Sequence, residues 1–154
     1  MNEVCGLFLR KNTVFIQPLY WNEKLYPVFG EPVIRCEPTV DALSTGILDC
    51  LKLSGRKEIK ELEVLLNRKP RLLHVLAGVK SEKQFQQGTS HCVVRQTDTN
   101  FVVSWLFPAK DKKGFEGYAH SPKMEWALDD VDGMVVRILR HLTDSNTCYP
   151  HLAI

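Results

Sequence analysis

The chain has 154 residues, of which 44% are hydrophobic and 25% charged, and it carries a formal net charge of +2 at neutral pH. That is the size and make-up of one globular domain with a real core, which excludes disorder and any need for disulfide or metal staples. No apolar run approaches the roughly 20 residues that span a bilayer, and a charge so near zero does not by itself imply a nucleic-acid partner.

The N-terminal segment opens with an acidic residue, Glu3, where a secretory signal would be basic, and its apolar run breaks at Arg10. We therefore expect a cytoplasmic protein with no membrane partner. Alternating residues from Val4 to Leu9 and from Thr13 to Gln17, broken at Arg10-Lys11-Asn12, predict a hairpin. Residues 18–38 carry Pro18, Pro27, Gly30, Pro32 and Pro38, which predicts extended coil with a short strand over Val33 to Cys36. Tyr20, Trp21 and Tyr26 fall in this stretch, either laid over the core or forming a binding surface.

A helix follows. Val40, Leu43, Ile47, Leu48 and Leu51 recur at three- and four-residue steps, Thr39 or Asp41 can cap its start, and Gly55 ends it. Gly46 in its middle marks either a close approach by another segment or a tolerated defect. A second helix is expected over Lys57 to Leu66, with Ile59, Leu62, Leu65 and Leu66 as its apolar stripe. Arg71 to Ala77 fits strand or helix equally well. Ser81 and Gln84 form a capping-box pattern that opens a short helix closed by Gly88. Two strands, Ser90 to Gln96 and Asn100 to Phe107, are joined by Thr97-Asp98-Thr99; a third is expected over Phe115 to Ala119. Asp129 or Asp130 caps a last helix through Leu142. The expected architecture is a single α+β domain over residues 1–154, an antiparallel sheet of four to six strands with helices packed on it.

Charge is unevenly spread. Residues 52–71 hold seven basic groups against three acids, whereas residues 125–132 hold four acids (Glu125, Asp129, Asp130, Asp132) and no base. Opposed patches of this kind speak to partners and not to fold. The basic stretch lacks the interleaved aromatics of a single-strand binder but suits phosphate contacts, which makes a nucleic-acid-binding or nucleic-acid-processing protein the rival reading.

Catalytic signatures are missing. His91 and Cys92 are adjacent on a strand and must face opposite ways, so they cannot form a nucleophile and base pair. His141, Cys148 and His151 match no common zinc spacing. Glu58, Glu61 and Glu63 alternate with lysines in the pattern of a solvated helix face. Five scattered cysteines with no Cys-x-x-Cys pair read as small buried apolar groups. No phosphate-binding loop, nucleophile elbow or zinc-protease motif occurs, so neither an enzyme nor a cofactor is expected.

Three stretches carry a resemblance to a known family: the apolar helix from Leu43 ending in Ser54-Gly55-Arg56, the turn and capped helix Ala77-Gly-Val-Lys-Ser-Glu-Lys-Gln-Phe85, and the hairpin with closing helix from Cys92 to Leu142. Across most of its length the chain resembles the CdiI-type immunity proteins of bacterial contact-dependent growth inhibition systems. The resemblance implies a non-enzymatic protein. Its partner would be the cognate toxin domain, the C-terminal region of a CdiA-like protein, held in a one-to-one complex. Toxins of this kind are often nucleases, some acting on transfer RNA, and no direct nucleic-acid contact by the immunity protein is implied. An inhibitor needs only a complementary surface of about 1,600 Å² in total with a few anchors. The acids Glu125, Asp129, Asp130 and Asp132 with Trp126 among them are the expected contacts, as are Tyr20 and Trp21. Asp→Asn changes there should weaken binding with little loss of stability. The slightly basic whole chain departs from the acidic character of many nuclease inhibitors, which leaves residues 52–71 as an alternative face.

Overall fold

The computed structural model describes residues 3–108, 115–116 and 123–144. Strands β1 (Glu3–Arg10) and β2 (Thr13–Asn22) form the expected hairpin. Its two-residue turn puts Lys11 and Asn12 at φ 46° and 63°, the left-handed pair that matches the twist of the flanking strands. Two extensions were not anticipated. β2 continues through Pro18 to Asn22, and residues expected as coil form β3 (Leu25–Phe29) before β4 (Ile34–Cys36). Pro18 lies opposite Cys5 at the last β1 pairing, and Pro27 lies in a strand at the sheet border. Those are places where a missing N–H costs little.

Helix α1 (Val40–Leu53) starts at Thr39, whose hydroxyl accepts from the Ala42 N–H. The two-residue β5 (Gly55–Arg56) then pairs parallel with β2, and α2 (Ile59–Leu66) is opened by a capping box between Glu58 and Glu61. The ambiguous segment is helix α3 (Leu72–Ala77), closed by Gly78 at φ 70°, a conformation that glycine adopts without strain. In α4 (Glu82–Gln86) Ser81 caps the Gln84 N–H, but the Gln84 side chain accepts from Lys80 and not from Ser81. β6 (Thr89–Gln96) and β7 (Asn100–Pro108) pair as expected. Of the third strand, β8 (Phe115–Glu116) is described, and residues 117–119 lie outside the described residues. A further strand, β9 (Met124–Ala127), borders β7 ahead of α5 (Val131–Thr143).

The sheet runs β3-β2-β1-β6-β7-β8, with β4 and β5 on β2 and β9 on β7. Four strands of eight to ten residues make its body, and five short ones bring the described sheet to nine. Every pairing is antiparallel except that of β5. Strand alternation divides the side chains between two faces. On one, Leu7, Ile16, Val94 and Val103 pack under Leu43, Ile47 and Leu51 of α1 and Met134, Ile138 and Leu142 of α5. A Cβ on Gly46 would stand 2.8 Å from Ile16 Cδ1, so this glycine lets α1 lie close on β2. On the other face, Phe8 and Phe15 pack with Leu73 of α3, Phe85 of α4 and Val79 between them. Arg10 ties this layer down, its Nη1 donating to the carbonyls of Phe85 and Gln87.

Cys5, Cys50 and Cys92 are fully buried and Cys36 half-buried. Burial pushes the Cys5 and Cys92 thiols up, away from the reactive thiolate. Cys148 and His151 lie outside the described residues.

Candidate partner-binding surface

The acidic run is built at one border of the sheet, where β9 turns into α5. Along β9 the side chains alternate, so Met124 and Trp126 turn toward the core while Glu125 is exposed. Glu125 lies opposite Val102, and Trp126 opposite Phe101, which places them on different faces. The chain then turns at Asp129 and enters α5. Asp130 caps it: Oδ1 accepts from the Gly133 N–H at 3.1 Å, and Oδ2 accepts from the Trp126 indole N–H at 3.0 Å. Asp132 accepts from the Ser44 hydroxyl at 2.8 Å, joining α5 to α1.

Two of the four carboxylates therefore serve the fold as well as the surface. Their donors are all neutral, however, so hydrogen bonding leaves the negative charge of the patch intact. Asp130 also sits at the positive end of the helix dipole, where a carboxylate is favoured. Glu125, Asp129, Asp130 and Asp132 are all exposed, and Trp126 is half-buried and bonded to Asp130.

Tyr20 and Trp21 stand apart from this group. β2 and β9 are separated by four strand spacings, about 19 Å. Tyr20 is only 3% exposed, with its hydroxyl donating to the Glu31 carbonyl at 2.7 Å and Lys57 Nζ 4.5 Å over its ring. Its bearing on a surface is thus to position Lys57. Trp21 is half-buried, and its carbonyl accepts from the Lys57 N–H at 2.9 Å.

The basic stretch is partly engaged within the fold. Arg56 contacts Glu23 at 2.9 Å and Glu58 at 3.1 Å, and Arg68 contacts Glu31 at 2.5 Å. Glu58 and Glu61 close the capping box, which assigns them to the helix start. His91 and Cys92 point to opposite faces, as strand geometry requires.

Sequence reasoning missed a cavity of about 320 Å³ between the second sheet face and α2, α3 and α4. Phe8, Phe29, Phe85, Phe115 and His91 line it. The His91 ring stacks on Phe8 with centroids 3.9 Å apart and donates from Nδ1 to the Leu7 carbonyl at 2.8 Å. Burial lowers its pKa to about 4, so the ring is neutral at physiological pH with Nε2 as its acceptor. The contributing residues come from five separate segments, so no local motif announces the cavity.

No family model matches the chain, and no curated protein sequence matches it either. Solved structures do. The fold is similar to that of a Neisseria meningitidis protein of unknown function, with a TM-score of 0.67 and 11% identity over 98% of this chain and 95% of that one. It is also similar to a chain of the CdiA-CT/CdiI toxin and immunity complex from Yersinia pseudotuberculosis, with a TM-score of 0.64 and 13% identity over 91% of this chain and 94% of that one. The likeness is one of fold, and it extends over nearly the whole of each chain.

Proposed function

We propose that the protein is an immunity protein that binds and neutralises the C-terminal toxin domain of a CdiA-like protein. The observation that carries this reading is the near full-length similarity of fold to a chain of a toxin and immunity complex. The residue chemistry is compatible with it: the Cys5 and Cys92 thiols are buried and His91 faces away from Cys92, so these residues do not pair as nucleophile and base. The acidic border formed by Glu125, Asp129, Asp130 and Asp132 is the contact surface in this reading, with Trp126 as its packed anchor. Such a surface suits a nuclease toxin, whose substrate-binding face is positive where it holds phosphates; carboxylates steer the encounter and occupy the substrate's place. Partial engagement of the basic stretch by Glu23, Glu31 and Glu58 favours this surface over residues 52–71.

The test is co-expression with the C-terminal domain of a large secreted protein encoded immediately upstream. A one-to-one complex that co-purifies, together with survival of cells producing that domain, is the expected result. Glu125→Gln with Asp129→Asn should slow association and flatten its dependence on salt, because neither carboxylate forms a hydrogen bond or ion pair within the fold among the described residues. Failure to comigrate and failure to protect would refute the reading.

A further inference from the structure

The cavity on the second sheet face has its own chemistry. Its volume of about 320 Å³ is near the lower end of the roughly 300–1,000 Å³ typical of small-molecule sites. That space holds one compact ligand and excludes a helix or a pair of strands. Phe29 and Phe115 line it with half-buried rings, while the packed Phe8 and Phe85 form its floor, which suits a flat ring held by stacked and edge contacts. The polar groups are few. His91 offers an acceptor, since its Nδ1 is committed to Leu7 and Nε2 is left with the lone pair. At the mouth, Glu31 is paired with Arg68 at 2.5 Å and Glu82 with His74 at 2.6 Å. Arg71 also lines the cavity and forms no ion pair among the described residues.

We propose that this cavity binds a small aromatic carboxylate bearing a ring N–H or O–H donor. The ring lies against Phe29 and Phe115, above the packed Phe8 and Phe85, the donor meets His91 Nε2, and the carboxylate reaches Arg71. Unlike the toxin-binding reading, this site needs no second protein, so the two can fail separately.

Calorimetric titration of the isolated full chain with indole-3-acetate tests it. Saturable one-to-one binding is expected, with weaker binding of the N-methylated analogue that lacks the donor. Arg71→Ala, an exposed change that leaves the core alone, should reduce affinity for indole-3-acetate by up to about fivefold while leaving the uncharged alcohol tryptophol unaffected. On binding, the His91 Nε2 resonance of isotope-labelled protein should shift as it accepts a hydrogen bond. The proposal is overturned by absence of saturable binding, or by binding that both Arg71→Ala and N-methylation leave unchanged with the His91 resonance unmoved.

Discussion

Single side chains divide the acidic surface into carboxylates bonded within the fold and carboxylates that are not, a division that matters for the proposed complex. Asp130 accepts from the Gly133 N–H and the Trp126 indole. Asparagine can still cap, so Asp130→Asn should change binding more than stability, whereas Asp130→Ala should lose about 1 kcal/mol of folding stability. Urea unfolding of the two variants, set beside their toxin affinities, separates the roles; equal stabilities would show the cap to be unimportant. His91 supplies a second residue-level test. Its pKa is depressed by burial from the ordinary 6.5 to about 4, so the folded state disfavours its protonation. The stability this contributes is complete above the unfolded pKa and fades as pH falls toward about 4. At most about 3 kcal/mol is involved, from 1.36 kcal/mol per pKa unit. Denaturation at pH 7 and pH 4.5 should show a larger acid loss for the native protein than for His91→Phe. Equal losses would remove His91 from the account.

At the level of elements, α1 is the part most completely legible in advance. Its buried residues include Leu43, Ile47 and Leu51, and Thr39 is the cap. Ile47→Ala should cost about 2–5 kcal/mol, measured as a shift in the denaturation midpoint, because the side chain is fully buried between helix and sheet. Less was legible where local signals conflict with tertiary ones. Prolines argued residues 18–29 into coil, yet Pro18 and Pro27 occupy strands at positions where the ladder does without their N–H. Leu72, Leu73, Val75 and Leu76 fit either period, and only packing against the second face makes α3 a helix. β9 was hidden because four residues with two inward side chains give too short an alternation. Of the candidate surface, the acids were readable as a charge run. Their division between faces was not, since it depends on the β7–β9 register. The burial of Tyr20 likewise follows from β2 being extended, a property of the sheet and not of the tyrosine.

For the molecule as a whole, a near-neutral chain is organised as a central sheet with a large core under two long helices and a smaller aromatic core under the short helices α3 and α4. The acidic border is continuous with the larger core through Trp126, and the cavity belongs to the smaller one. In the described residues no helix is long and apolar enough to cross a membrane. One bond gives this arrangement a dynamic consequence. Ser44 and Asp132 join α1 to α5 across 88 positions of sequence, so a carboxylate of the proposed contact surface is also a rivet between the two helices. A partner that immobilises Asp132 should slow local opening of both, and amide exchange would report it: protection should rise in the first half of α1, far along the chain from the contact, and Ser44→Ala should confine it to α5.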